Sequence, residues 1–444
     1  MSTETIAGGN RLLSKRDTVI SLLIIGSLFF IIGGVSWVNA TLIPFFKVAF
    51  QLNNNQAYFV TLAFYISYFF ISVPASYLLK KVGFKKGLMI ALLVMAFGAF
   101  LFVPAAHFSV YAIFLFGLFS IGTGLAVLQT AINPYVTILG PQERAAQRIS
   151  MMGICNKFAG ILAPAVLMWV ILRPTDNEMF RQIPDMLPAE REVVLHELLR
   201  RVMLPYTIVA GLLLLFGLFV RYSPLPEIDT EHESEEVLAA NTGKRSILQF
   251  PQLTLGAIAL FLHLITQILS IDTVVIYAQS MGKTLDEAKS LPSITLFGTM
   301  IGYIVGILGM PKLFSQKTAL KFCATLGAIL SLLVVFASGE YTIDLPFLEP
   351  HTLDLSIWFL CSLGLANSLI WAGIWPLALD GLGRFTKIGA SLMIMMLVAN
   401  ALGPSTYSLI ADQVGLRNAY WIMVPCFLFI MFYAFYGHKL RRWS

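Results

Sequence analysis

Residues 87–106 read GLMIALLVMAFGAFLFVPAA, and they contain no charged side chain. About 20 consecutive apolar residues are what an α-helix needs to cross the hydrocarbon core of a bilayer. Twelve such stretches follow one another along the chain, and they predict an all-α integral membrane protein with twelve transmembrane helices. We place these spans near residues 19–46, 56–79, 87–106, 109–137, 148–171, 204–221, 250–279, 291–310, 320–338, 355–379, 388–411 and 419–437.

The composition fits this class. Hydrophobic residues make up 57% of the 444 residues and charged residues 12%, whereas soluble domains carry about 25% charge. The bilayer is therefore the main solvent, and a net charge of +6 is too modest to predict nucleic-acid binding. The four cysteines are scattered without metal-ligand spacing and are expected to fill small gaps. The spans contain no nucleophile–base pair, so neither an enzyme nor a cofactor is predicted.

Lysine and arginine predict the orientation. An even number of spans places both termini on one side of the membrane. The segments on that side hold 20 of the 30 basic residues and the opposite segments hold nine. The positive-inside rule then predicts cytoplasmic termini. The remaining basic residue, Lys157, lies inside the fifth span, where it either snorkels inward or reaches the interior.

Two long segments between the spans are predicted to lie outside the membrane. Residues 173–203 are expected to form a periplasmic loop with a short amphipathic helix on the bilayer surface. Its apolar residues at helical spacing are Val194, Leu195, Leu198 and Val202. Residues 222–247 carry six acidic residues and then a basic end, which predicts a flexible cytoplasmic linker. The linker divides the chain into an N-terminal six-helix bundle, 1–221, and a C-terminal one, 248–444.

The two halves resemble each other weakly in sequence but regularly in position. Pro134 and Pro376 end the fourth and tenth spans with an offset of 242, and Ser150 and Ser391 repeat at 241. Parallel repeats joined by a cytoplasmic linker predict two pseudo-symmetric bundles. They are typical of carriers that bind cargo near mid-membrane and work by alternating access.

Polar side chains inside spans favour the bundle interior, because a polar group in hydrocarbon is costly. Residues four positions apart in a helix lie on the same face. Gln129 and Asn133 have this spacing, and so do Asn367, Trp371 and Trp375. The predicted cargo-binding residues are Trp37, Asn39, Gln129, Asn133, Asn156, Gln267, Asn367 and Trp371.

Amides can bond to vicinal hydroxyls and indoles pack against the apolar face of a sugar ring, so these residues suit a neutral sugar. A carboxylate cargo would call for arginine forks, and no arginine lies deep in a span. The alternative for each residue is structural bonding between helices.

Among the 24 acidic residues, Asp272 alone lies well inside a predicted span. A carboxylate there can exchange a proton, or it can bind Na⁺ together with the hydroxyl of Thr273; the third alternative is an ordinary helix-end aspartate. On an unbroken helix Asp272 lies about 140° from Gln267, so the two side chains face different ways. Asp272 is the predicted cation-coupling residue.

Four segments resemble a known family: FFIIGGVSWVNATLIPFFKVAF (29–50), GTGLAVLQTAINPYVTILGP (122–141), AAQRISMMGICNKFAG (145–160) and WPLALDGLGRFTKIGAS (375–391). They are similar to the fucose–galactose–glucose:proton symporter family of the major facilitator superfamily, and especially to its glucose/galactose branch. The resemblance implies a sugar importer driven by a cation gradient in the inner membrane of a Gram-negative bacterium. A monomer that carries a neutral hexose or N-acetylhexosamine is therefore expected.

Three positions depart from the pattern of that family. Its fucose branch has an aspartate where this chain has Ala40 and a glutamate where it has Gln129; its glucose/galactose branch has a glutamate where this chain has Gln267. The glucose/galactose branch pairs that glutamate with a following aspartate in the seventh span, and this chain keeps the aspartate as Asp272. Asp272 is the single coupling acid of the family pattern that is present. Coupling to Na⁺, coupling to H⁺ and uncoupled facilitation all stay open, and a non-sugar exporter is the more distant alternative.

Overall fold

The computed structural model describes residues 5–7, 11–13, 15–52, 54–139, 141–171, 176, 179, 182–227, 241, 243–337, 342–344 and 352–443. Long apolar runs without interior charge fold as helices because an isolated apolar segment can satisfy its own backbone only in that way. The first half contains α1 (Lys15–Ala49), α2 (Asn54–Val82), α3 (Phe84–Phe100), α4 (Phe102–His107), α5 (Tyr111–Ile138), α6 (Ala145–Ile171) and α7 (Pro188–Tyr222), with 3₁₀ turns at Gln142–Arg144 and Ile183–Asp185.

The second half continues the same pattern in shorter pieces. Its helices are α8 (Pro251–Asp272), α9 (Val274–Ser280), α10 (Leu285–Ala288), α11 (Leu291–Gly309), α12 (Gln316–Phe336), α13 (Leu355–Ser368), α14 (Ile370–Leu379), α15 (Thr386–Met395), α16 (Ala399–Val414), α17 (Leu416–Ala419) and α18 (Met423–Phe435). The 3₁₀ turns are Ile247–Gln249, Gly383–Phe385, Met396–Val398, Tyr420–Ile422 and Gly437–Lys439.

Two small antiparallel pairs complete the secondary structure. Strand β1 (Thr5–Ala7) pairs with β2 (Arg11–Leu13), with Thr5 opposite Leu13. Strand β3 (Thr342–Asp344) pairs with β4 (Thr352–Asp354), with Thr342 opposite Asp354.

Twelve helical segments in the described residues are long and apolar enough to cross a bilayer. They are Arg16–Val38, Phe59–Val82, Phe84–His107, Tyr111–Thr137, Ala145–Ile171, Pro188–Tyr222, Pro251–Asp272, Leu291–Gly309, Gln316–Phe336, Leu355–Leu379, Gly383–Val414 and Leu416–Lys439. The predicted all-α architecture with twelve spans is confirmed.

The short amphipathic helix predicted within 173–203 is wrong as a separate element. Residues from Pro188 onward belong to α7, which continues without a break to Tyr222. Leu195, Leu198 and Val202 are buried on the side of α7 that packs on α3 and α4. They therefore contact protein, and they do not lie on the bilayer surface.

The seventh and tenth spans are each broken once. The seventh span breaks at Thr273, between α8 and α9, and the tenth breaks at Leu369, between α13 and α14. The tenth break falls between Asn367 and Trp371, so the predicted stripe of one unbroken helix is interrupted there.

Small residues on α5 allow its neighbours to approach closely. A Cβ on Gly122 would lie 2.3 Å from the carbonyl oxygen of Phe64 in α2, and one on Gly124 would lie 2.5 Å from that of Ala91 in α3. Backbone contacts of this kind are typical of membrane helix pairs, so these glycines serve helix packing.

The chain divides into two compact units. The N-terminal unit comprises Lys15–Ile132 and Cys155–Ile228; the C-terminal unit comprises Met1–Ser14, Asn133–Ile154 and Asp229–Ser444. Within the C-terminal unit, Gln147 Nε2 donates to the carbonyl oxygen of Ile307 at 2.7 Å.

Most of the predicted linker, residues 228–240 and 242, lies outside the described residues, so the domain boundary there stays a prediction. Its described start is fixed, because Glu227 accepts hydrogen bonds from the backbone nitrogens of Phe84 and Lys85 at 2.9 and 3.1 Å. A carboxylate at a helix N-terminus also suits the helix dipole.

Candidate functional site

In the N-terminal unit, Gln129 is oriented by a tyrosine. Its Nε2 donates to the hydroxyl of Tyr68 at 2.9 Å, and both side chains are buried. This bond joins α5 to α2. One amide hydrogen of Gln129 is therefore used inside the protein, and this bond fixes the orientation of the side chain.

Asn133 lies one turn further along α5 and is buried as well. The end of this helix is capped by Arg148, whose guanidinium donates to the carbonyl oxygens of Val136, Thr137 and Pro141 at 2.8, 2.7 and 2.9 Å. The last carbonyls of a helix need such donors. Arg148 therefore has a structural role, and the nearby Asn133 is held on a rigid helix end.

Asn156 lies where α6 meets α1. Its Nδ2 donates to the carbonyl oxygen of Phe29 at 3.4 Å. A Cβ on Gly33 would lie 2.0 Å from the carbonyl oxygen of Asn156, so the two backbones touch at this level. The half-buried amide is anchored by this contact.

Trp37 and Lys157 form a second contact between the same two helices. The Nζ of Lys157 lies 4.7 Å from the centre of the Trp37 ring, and Lys157 is only 5% exposed. A Cβ on Gly160 would lie 2.5 Å from Cδ1 of Trp37, so the indole lies across α6 where that glycine leaves room. Lys157 is therefore buried against Trp37, and whether it reaches the cargo cavity stays a prediction. The side chain of Asn39 lies outside the described residues, and its role stays a prediction.

In the C-terminal unit, Asn367 contacts Thr266. The single hydrogen of the Thr266 hydroxyl has two acceptors within reach, Oδ1 of Asn367 at 3.0 Å and the carbonyl oxygen of His263 at 2.8 Å. Asn367 is 1% exposed, and its Nδ2 has no hydrogen-bond partner within the described part of the chain. The contact joins α13 to α8 and leaves a buried amide donor unused.

Two indoles follow on α14. The rings of Trp371 and Trp375 are stacked with centres 5.4 Å apart and planes 11° apart. Trp375 is fully buried, and its Nε1 also has no acceptor among the residues that the structure describes. Trp371 is half-buried. This unit therefore contains a stacked pair of indoles, and Asn367 and Trp375 are among its residues with a buried N–H donor that finds no acceptor in the described part of the chain.

Thr266 is not among the residues predicted from the sequence. Threonines in membrane helices commonly bond back to a carbonyl of their own helix, as Thr266 does, so its residue type gave no signal. His263 is buried and Gln267 is half-buried on the same helix. From the sequence, Gln267 on this helix is a predicted cargo-binding residue, whereas the side chain that contacts Asn367 is that of Thr266.

Asp272 and Thr273 differ in environment. Helix α8 is unbroken from Gln267 to Asp272, so these two side chains face different ways, and Asp272 is exposed. Thr273 is buried; its hydroxyl lies 2.6 Å from the carbonyl oxygen of Leu269 and 2.7 Å from the hydroxyl of Tyr420. The Thr273 hydroxyl thus serves the break between α8 and α9, and the cation site stays a prediction that depends mainly on the Asp272 carboxylate.

The chain is similar to known sugar transporters over nearly its whole length. A glucose/galactose transporter of Brucella abortus is 29% identical over 430 residues, which cover 96% of each chain. The L-fucose-proton symporter of Escherichia coli K12 is 29% identical over 427 residues, 95% of this chain and 93% of the symporter. The crystal structure of the transporter FucP in its outward conformation matches with a TM-score of 0.80 and 26% identity, over 95% of this chain and 99% of FucP.

These relatives confirm the resemblance predicted from the four segments, and they are transporters. The family model described as "Major Facilitator Superfamily" matches residues 25–397. With its twelve membrane spans, the chain belongs to the Major Facilitator Superfamily.

Proposed function

We propose that this protein imports a neutral hexose or N-acetylhexosamine of the glucose/galactose type, in symport with Na⁺ or H⁺, by alternating access. It would act as a monomer in a bacterial inner membrane, with both termini in the cytoplasm. The names of its relatives, glucose/galactose transporter and L-fucose-proton symporter, support the cargo class.

The observation that carries the proposal is that Asn367 and Trp375 each have a buried N–H without an acceptor, and that the ring of Trp375 is stacked on Trp371. A buried N–H without an acceptor costs about 1–3 kcal/mol, and Asn367 and Trp375 both hold one in the described part of the chain. A sugar supplies hydroxyl oxygens as acceptors. Its apolar ring face would pack on the half-buried indole of Trp371. Binding would therefore remove a cost that the protein otherwise carries.

The remaining predicted contacts would come from amide and indole side chains of four helices. These are Trp37 and Asn39 of α1, Gln129 and Asn133 of α5, Asn156 of α6 and Gln267 of α8. An amide side chain can offer both a donor and an acceptor to the hydroxyls of a sugar. Preorganised groups of this kind lose little freedom when cargo binds.

Asp272 would hold the driving cation. It is the last residue of α8, and the carboxyl end of a helix carries partial negative charge that favours a cation. Na⁺ would bind the carboxylate with help from Thr273; a proton would bind the carboxylate alone.

Uncoupled facilitation is the second candidate, and the environment of Asp272 favours it. The carboxylate is exposed, and its neighbour Thr273 is already bonded to Leu269 and Tyr420. Neutral Ala40, Gln129 and Gln267 stand where the family's branches have acids. A carrier of this kind would equilibrate sugar without accumulating it.

Uptake into proteoliposomes distinguishes these candidates. A panel of radiolabelled hexoses and N-acetylhexosamines is offered with a Na⁺ gradient and a pH gradient imposed separately. We expect accumulation under one gradient. In Asp272→Asn we expect accumulation to be lost while exchange of labelled for unlabelled sugar continues. Asp412→Asn, at another exposed aspartate of the C-terminal unit, is the control and should accumulate normally.

Undiminished accumulation by Asp272→Asn would contradict the coupling role. Equilibration of sugar under both gradients, without accumulation, would establish the facilitator. Uptake of no sugar in the panel would contradict the sugar proposal itself.

A further inference from the structure

The N-terminal unit contains an apolar cavity of about 260 Å³ between α1, α3, α5 and α7. Side chains or backbone of Phe30, Gly34, Ala99, Ile121 and Leu212 contribute to its wall. Every residue that lines it is apolar except Tyr206 on α7. The cavity is separate from the polar residues of the proposed sugar site.

The single polar side chain in the wall of this cavity is that of Tyr206. Tyr206 is 4% exposed, and its ring is held by stacking on Phe102, with centres 4.0 Å apart and planes 10° apart. Its hydroxyl is buried and has no hydrogen-bond partner within the described ranges. A buried hydroxyl needs an acceptor, because leaving it unpaired costs free energy. The ligand of this cavity must therefore offer one.

Water does not fit this requirement. A buried water typically needs two to four polar partners, and cavities lined by apolar side chains stay dry. This cavity offers one hydroxyl in a wall of aliphatic and aromatic groups. Its occupant must be an apolar molecule that carries an acceptor oxygen near one end.

The cavity opens toward the surface that faces lipid. Ile208, Leu212, Leu215 and Phe219 are exposed along one side of α7 at helical spacing, as expected of a helix face that contacts acyl chains. Leu212, which is 61% exposed, also lines the cavity. The molecule most abundant at such a surface is a phospholipid, whose acyl chain is apolar and whose ester carbonyl is an acceptor.

We propose that this cavity binds one acyl chain of a membrane phospholipid, and that the Tyr206 hydroxyl donates a hydrogen bond to the ester carbonyl oxygen of that chain. The bound lipid would stabilise the packing of α7 against α1 and α3. The proposal does not depend on which cargo the protein carries.

Ester and ether lipids test the hydrogen bond directly. The purified protein in detergent is supplemented with diacyl or dialkyl phosphatidylethanolamine of the same chain length, and the Tm is measured by intrinsic fluorescence. The dialkyl lipid lacks the carbonyl. We expect the diacyl lipid to raise the Tm by a few degrees more than the dialkyl lipid. Tyr206→Phe should abolish that difference, whereas Tyr222→Phe, at an exposed tyrosine of the same helix, should keep it.

A second variant fills the cavity. Val209→Trp adds volume at its wall and should reduce the rise in Tm with both lipids. Equal stabilisation of the wild type by the two lipids would overturn the hydrogen bond. A full lipid-dependent rise in Val209→Trp would overturn the cavity as the binding site. If Tyr206→Phe raises the Tm equally with and without lipid, the cavity is empty and the proposal is wrong.

Discussion

The N-terminal and C-terminal units both bury amides and indoles, but they differ in how much hydrogen-bonding capacity the protein itself uses. In the N-terminal unit Gln129 donates to Tyr68, Asn156 donates to a backbone carbonyl, and Lys157 lies over Trp37. In the C-terminal unit Asn367 and Trp375 each keep a buried donor unused among the described residues. Under the proposed function, the first unit would offer side chains that are already bonded within the protein, whereas the second would gain its missing bonds when cargo binds.

The largest effect is expected at Asn367. Asn367→Leu removes the unused donor at similar size, so the cargo loses a hydrogen bond in a buried site. A site built to bond a polar group loses heavily when that bond is absent, and we expect kcat/KM for sugar uptake to fall by about 100-fold. Initial rates of uptake into proteoliposomes measure it.

Asn418→Leu, at an exposed asparagine of the same unit, should leave uptake unchanged. A lower Tm in Asn367→Leu with normal kcat/KM would mean that the amide only joins α13 to α8.

The hydrogen bond between Gln129 and Tyr68 tests whether the N-terminal unit uses a buried amide for its own stability. Tyr68→Phe removes the acceptor of Gln129 and leaves a buried amide hydrogen unpaired, which should lower the free energy of unfolding by about 1–3 kcal/mol. Adding Gln129→Leu removes the unpaired group, so the double variant should recover most of the loss. Thermal unfolding of both single variants and the double variant gives the coupling energy. Additive losses would show that the bond contributes no stability.

At Trp375, also in the C-terminal unit, we expect a smaller effect on sugar uptake than at Asn367. Trp375→Phe keeps an aromatic ring beside Trp371 and removes Nε1–H. One lost hydrogen bond to a neutral cargo corresponds to about a tenfold higher KM. The matched variant Trp358→Phe changes another tryptophan of the C-terminal unit, on α13, and should leave KM unaltered. Equal changes of KM in the two variants would count against a specific role of the Trp375 donor.

Most of the fold could be predicted because the bilayer imposes strong rules on sequence. Runs such as 87–106 must be helices in hydrocarbon, and all twelve were found. The error lay at α7, where charged residues of 188–203 were interpreted as the end of membrane structure. The helix continues beyond its apolar part, where Leu198 and Val202 pack on protein. Residue type cannot show where such a helix begins.

The candidate site was harder, because residue type does not tell which partner a polar group finds. Asn367 was selected as a polar residue inside a span, but its partner Thr266 gave no signal. The break at Leu369 was equally invisible, since no proline or glycine stands there. Whether Nε1 of Trp375 finds an acceptor depends on the packing of several helices, and only the folded structure shows that packing.

The smallest change of KM is expected at Lys157, where substitution also separates a role in sugar binding from a role in stability. An ammonium at the centre of a membrane helix costs about 2.5–3.5 kcal/mol, and a cation–π contact with Trp37 offsets about 0.5–2 kcal/mol of that. In Lys157→Met we therefore expect an unchanged or higher Tm. We also expect about a threefold higher KM for sugar, because Trp37 loses the ammonium that fixes its ring. Lys157→Arg should keep both values near wild type, since it retains the charge. A lower Tm with an unchanged KM would instead make Lys157 part of the rigid packing that distinguishes the N-terminal unit.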